Sequence, residues 1–144
     1  MATYVKINDW VENMNEVADL DGDTFTVALS NTAPGSETTP PTGDGDGILA
    51  NITEVSYTNC SSRDLVLASS SQTSGTYTLD FNNLTLTASG GTVGPFRYVY
   101  IYDNTPTSPA DPLVCYFDYG SSITLNDTET LDININASGL FTIA

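Results

Sequence analysis

From Thr24 to the C-terminus, apolar residues recur at every second position in short runs that end in Gly, Asn, Asp or Pro. Two is the side-chain period of a strand, so this pattern confines most of the chain to β-sheets. In the first run Phe25, Val27 and Leu29 share one face, which predicts a half-buried strand over 24–29. Tyr77, Leu79 and Phe81 alternate in the same way, and Asn82-Asn83 then turns the chain into Leu84, Leu86 and Ala88. Near the end Leu131, Ile133 and Ile135 alternate with Asp132, Asn134 and Asn136, and Leu140–Ile143 closes the chain. Phe96–Tyr102 and Leu113–Phe117 are apolar on both faces, as central strands covered on both sides should be. At least six such strands predict an all-β fold, an antiparallel β-sandwich or a jelly-roll-like barrel.

The N-terminus departs from this period. Tyr4–Ile7 reads as a short strand or a docking arm. Asn8 to Ala18 fits a short helix, with Asn8 or Asp9 as cap and Glu12 in its first turn. Trp10, Val11, Met14, Val17 and Ala18 fall near helical spacing, and a helix this short must pack that stripe against something. Asp19–Asp23 is a turn. Residues 31–47 hold three of the seven prolines and four of the eleven glycines, with no apolar period, which predicts a long exposed loop. The expected organisation is an N-terminal arm or short helix at 1–22 and a β-sandwich domain at 23–144. At 144 residues the chain has the length of one domain, for which ~150 is usual.

Charge and residue types exclude several functions. Lys6, Arg63 and Arg97 face eighteen acids, for a net charge of −15. Nucleic acid is not a partner of such a surface, because phosphate binding needs clustered Lys and Arg. Anionic membranes are disfavoured on the same ground. There is no histidine, so Ser-His and Cys-His nucleophiles are absent. The sequence has neither a signal-peptide-like apolar run near Met1 nor a transmembrane-length one, and a protein made in a cytoplasm is expected.

The remaining motifs have ordinary explanations. Asp19, Asp21 and Asp23, or Asp44 and Asp46, offer oxygen ligands to calcium. An EF-hand, however, needs a Glu at its twelfth position, where counting from Asp19 finds Ser30. Asp-Gly runs also form turns, so no metal ligand is assigned. Asp103, Asp111, Asp118, Asp127 and Glu129 would serve glycoside hydrolysis only if two of them converged on a sugar. No catalytic or cofactor-binding residue is assigned. Phe96, Tyr98, Tyr100 and Tyr102 form either a sugar-stacking platform or one face of a buried strand, and the burial reading is favoured. Arg97 is expected to pair with a carboxylate. Cys115 reads as a small buried hydrophobe, and a bridge to Cys60 is left open.

The chain also resembles the small structural proteins of tailed-phage virions of the capsid decoration, or cement, type. The likeness is carried by the amphipathic segment Ile7 to Ala18 and by Asp23-Thr-Phe-Thr-Val-Ala-Leu-Ser-Asn-Thr-Ala-Pro34. It continues in Leu84-Thr-Leu-Thr-Ala-Ser-Gly-Gly91, Gly94-Pro-Phe-Arg-Tyr98, Asp111-Pro-Leu113, Tyr116-Phe-Asp-Tyr-Gly120 and Ser138-Gly-Leu-Phe141. The resemblance implies a non-enzymatic β-domain that binds the outside of a head shell and stabilises it, often as a homotrimer. Its partners would be the major capsid protein and further copies of itself, and its location the capsid exterior. Tyr4, Val5, Ile7, Trp10, Val11 and Met14 are the expected partner-binding residues. A rival reading is a carbohydrate- or receptor-binding module of a tail or fibre, using the Tyr-rich strand and the 31–47 loop. Exposure of Tyr98, Tyr100 and Tyr102 favours the rival; burial favours the clamp.

Overall fold

The computed structural model describes residues 2–144. Its elements are β1 (Thr3–Lys6), α1 (Trp10–Glu16), β2 (Phe25–Ser30), β3 (Leu67–Thr73), β4 (Thr76–Phe81) and β5 (Leu84–Thr87). Then follow β6 (Val93–Asp103), β7 (Leu113–Leu125), β8 (Thr130–Ile133) and β9 (Phe141–Ile143). All pairings are antiparallel, in a four-stranded sheet β1-β7-β6-β2, a three-stranded sheet β3-β4-β9 and a two-stranded sheet β5-β8. The fold is all-β and sandwich-like, and among the described residues no sheet closes into a barrel.

The four-stranded sheet is covered on both faces. On one face Phe25, Val27 and Leu29 of β2 and Val99 and Ile101 of β6 meet Leu79 and Phe81 of β4, Leu86 of β5 and Ile133 of β8. On the other face Ala28, Tyr98, Tyr100, Tyr102 and Leu113 pack with Ile7, Ile52, Leu49 and Ala33. Alternation along β6 therefore feeds two cores, valine and isoleucine to one and tyrosine to the other.

The cover over the tyrosines comes from Ala33 in the Pro- and Gly-rich stretch and from Leu49 and Ile52 just after it, so the loop expected to be exposed at 31–47 is instead docked on the sheet at a few anchors. Pro34, Glu37, Pro41 and Gly47 are buried. The Glu37 carboxylate accepts from the Thr53 N–H and the Thr53 hydroxyl, each at 2.7 Å. The Asp9 carboxylate accepts from the Gly45 N–H at 3.0 Å and the Gly47 N–H at 2.8 Å. A segment without apolar period is thus held by backbone-to-carboxylate bonds and a few apolar anchors. β2 is likewise buried at all six positions, not half-buried. Its faces lie in the two cores, and its outer edge bonds to 55–65: Val27 N–H to Arg63 C=O, Leu65 N–H to Phe25 C=O and Val55 N–H to Leu29 C=O.

Segment 1–22 is no separate arm, which corrects the expected boundary at residue 22. β1 pairs with Cys115–Asp118 of β7 as the edge strand of the main sheet. Ile7, 1% exposed, enters the tyrosine-side core. Trp10, 2% exposed, wedges into the other core, edge-on to Phe25 at 6.0 Å and to Phe141 at 6.2 Å. The helix is shorter than its apolar stripe suggested. Asp9 holds its N-cap position, yet its side chain makes no cap bond because both carboxylate oxygens serve the loop. Met1 lies outside the described residues.

Two irregularities between β6 and β7 place the aromatic residues. Tyr98 pairs with Asp118, but two residues earlier Phe96 pairs with Ile123, so β7 bulges outward over Tyr119–Ser122. The slip moves Phe96 from the tyrosine face, where strict alternation puts it, into the core with Val99 and Ile101. Gly94 sits beside the slip at φ +117, where a Cβ would lie 2.9 Å from the Ile123 carbonyl oxygen. Only glycine fits that approach.

Candidate docking surface

The sandwich is open along the side where β1 and β9 end their sheets. β1 bonds only to β7 and β9 only to β4, so each leaves one edge unpaired. Two grooves flank β1 there and share Tyr4. The larger, about 590 Å³, lies between Tyr4, Phe117 and Tyr119 on the main sheet and Leu131, Ile133 and Ile135 across the gap, with Asp132, Asn134 and Asn136 among its polar residues. The smaller, about 220 Å³, is lined by Tyr4, Lys6, Trp10, Val11, Met14 and Phe141–Ile143.

Register explains the wall of the larger groove. Tyr4 lies opposite Phe117, which lies opposite Val99, making one row across three strands. The Tyr4 and Phe117 rings meet edge-on with centroids 5.5 Å apart. Burial of one side of Tyr4 pushes its hydroxyl pKa above the ordinary range, so it stays a neutral donor. The β7 bulge leaves Tyr119 51% exposed. At its base Arg97 donates to Asp118 from Nε at 2.7 Å and from a terminal nitrogen at 2.9 Å, and Asp118 also accepts from the Gly120 N–H. That fork holds the Asp118 carboxyl below the usual carboxylate range. The carboxylate partner expected for Arg97 is present.

The six expected partner-binding residues divide. Tyr4 and Val11 are exposed, Met14 is half-buried, and these three meet at the smaller groove. Val5 is half-buried opposite Tyr116. Ile7 and Trp10 point inward and are interior packing residues, which corrects their assignment to a partner surface. Sequence reasoning missed Phe117, Tyr119, Leu131, Ile135 and Ile143. The signal available was Tyr119-Gly120 after an apolar run, since a glycine there permits the bulge; here Gly120 has φ +93.

Tyr98, Tyr100 and Tyr102 do not form an accessible platform, being 7%, 0% and 5% exposed. Burial raises the pKa of Tyr100, whose hydroxyl has no protein partner, and carboxylate Glu37 adds to the shift. None of the acids considered for hydrolysis lines either groove, in which Asp132 is the one carboxylate. Asp127 accepts from the Gly90 N–H, Glu129 from the Asn126 N–H, and Asp103 from the Thr105 N–H. In the 19–23 turn Asp19 accepts from the N–H groups of Asp21 and Gly22, and Asp23 from that of Asp19. Among the described residues no three Asp, Glu, Cys or His side chains gather closely enough to hold a metal ion. Cys115 is buried and Cys60 half-buried, both as free thiols. No helix among the described residues is long and apolar enough to cross a membrane. No protein-family model, curated protein or solved structure matches the chain.

Proposed function

We propose that this chain is a non-enzymatic structural protein of a tailed-phage virion, which binds the outside of the head shell and stabilises it. The observation that carries the reading is the distribution of exposed apolar side chains. Among the described residues six large ones are exposed, and four of them, Tyr4, Val11, Tyr119 and Ile143, line the two grooves along the β1–β9 side. Contiguous apolar surface beside unpaired strand edges is what a docking face needs. The burial of Tyr98, Tyr100 and Tyr102 is what a clamp, not a strand-borne sugar platform, predicts. The head location, the major capsid protein as partner, the homotrimer and synthesis in the host cytoplasm come from the family resemblance.

A second reading has one observation in its favour. The larger groove combines three aromatic rings with Asp132, Asn134 and Asn136, a composition suited to a neutral saccharide on a tail or fibre module. Cosedimentation with empty head shells that lack this protein separates the two. Wild type should bind the shells to saturation, and Tyr4→Ser with Tyr119→Ser should weaken binding by about tenfold or more, as paired aromatic contacts do. Absence of saturable shell binding by the folded wild-type protein overturns the cement reading. Deleting 1–22 is no test, because it removes Ile7 and Trp10 from the two cores.

A further inference from the structure

Asp103 ends β6 and is fully buried, at 0% exposure. One carboxyl oxygen accepts from the Thr105 N–H at 3.2 Å; the other is buried with no donor. Asp23, from the turn that leads into β2, is a side-chain neighbour within hydrogen-bonding reach of the Asp103 carboxyl, and Asp111 adds further negative charge from the loop before β7. The charged groups facing Asp103 from the neighbouring elements are thus both acidic. A buried carboxylate beside two others, with one oxygen unsatisfied, is costly, whereas a protonated carboxyl donates to its neighbour and satisfies both.

We propose that Asp103 keeps its proton and donates it to Asp23, and that this bond latches the 19–24 turn to the 103–112 loop and releases it when Asp103 loses the proton. The backbone around the pair is arranged for such a latch. Asn104 N–H donates to the Thr24 carbonyl at 2.8 Å, Thr24 N–H to the Thr105 hydroxyl at 2.9 Å, and Asp103 N–H to the Pro112 carbonyl at 2.9 Å. The two bonds to Thr24 join the segments that the two carboxylates would drive apart, and the third closes the 103–112 loop on itself. Burial pushes Asp103 up to about 7, opposed by the Thr105 N–H and reinforced by Asp23 and Asp111.

The folded pKa lies above the unfolded value of about 3.9. The stabilisation is therefore complete below about pH 4, declines as pH rises, and is gone above the folded pKa near 7. The latch is closed in mild acid and loosened in mild alkali.

Backbone hydrogen exchange, expressed as protection factors to remove the intrinsic pH dependence, reads this residue by residue. Between about pH 6 and about pH 8.5, protection at Thr24 and Asn104 should fall about tenfold in the wild type while Tyr100 and Ile101 hold theirs. Asp103→Asn keeps the shape, donates to Asp23 and cannot ionise, so its protection should stay level across the same range. An equal fall in Asp103→Asn overturns the proposal. A measurement that needs no variant is the carboxyl carbon titration of Asp103 in the wild-type protein. A midpoint between about 6 and 8 supports the protonated latch, and one below about 5 overturns it.

Discussion

The main sheet carries two aromatic sets, and they end in opposite states. Tyr98, Tyr100 and Tyr102 project from β6 and are sealed beneath the segment around Ala33, Leu49 and Ile52. Tyr4 and Phe117 project from the other face, where the cover formed by β8 and residues 134–140 stops short and leaves a groove of about 590 Å³. Strand chemistry does not distinguish the sets, since both are aromatic and both lie in regular antiparallel register. What distinguishes them is the segment that crosses over. A run of Pro, Gly and Asp made a tight lid because Asp9 accepts from its Gly45 and Gly47 N–H groups and its own Glu37 accepts from Thr53. On the other side a strand of four residues, β8, is too short to reach the sheet edge.

The comparison can be broken first at Trp10, which is buried in the core beneath the open side. Trp10→Ala should cost about 3–5 kcal/mol of folding stability, as buried aromatic truncations do, measured by urea denaturation. A loss below about 1 kcal/mol would mean that α1 is dispensable to the body and would restore 1–22 as a separate arm. Next in size is the lid fastener. Glu37→Ala leaves the Thr53 N–H and hydroxyl without their acceptor and should cost about 1–3 kcal/mol. The same variant should increase quenching of tyrosine fluorescence by acrylamide as the lid loosens over Tyr98 and Tyr100. Unchanged quenching would show that the apolar anchors alone hold the lid. The smallest effect belongs to the open side: Tyr119→Ser should change stability by no more than about 0.5 kcal/mol. A larger loss would make Tyr119 a packing residue and remove it from the docking face.

Much of this architecture was legible in the sequence because it depends on local period. The β2, β4, β5, β6, β7, β8 and β9 regions all carry alternation or a two-sided apolar run. β3 was not legible: Leu67-Ala-Ser-Ser-Ser-Gln-Thr73 has no apolar alternation and becomes a strand through its pairing with β4, with a register shift between Leu67 and Ser69. For a related reason, Phe96 lies on the face opposite to the one its alternation predicts. Period-two reasoning assumes an unbroken ladder, and the bulge opposite it in β7 is a property of the pair. At the candidate site, Tyr4, Val11 and Met14 were recognisable as apolar residues in an amphipathic segment. Trp10 and Ile7 looked the same in sequence, and only packing sent them inward.

The sequence by itself determined that this protein is built of antiparallel strands, that its surface is strongly acidic, that Arg97 needs a carboxylate, and that two central strands are buried on both faces. Each follows from side-chain period or from charge arithmetic, which act over a few residues or over the whole composition. The tertiary structure alone decided that the N-terminus is an edge strand of the main sheet, that the Pro- and Gly-rich stretch is a lid, and that Asp103 meets Asp23 inside the protein. It also left one side of the sandwich uncovered. These outcomes depend on contacts between residues tens of positions apart, whose partners are fixed by which surfaces remain to be covered once the strands have paired.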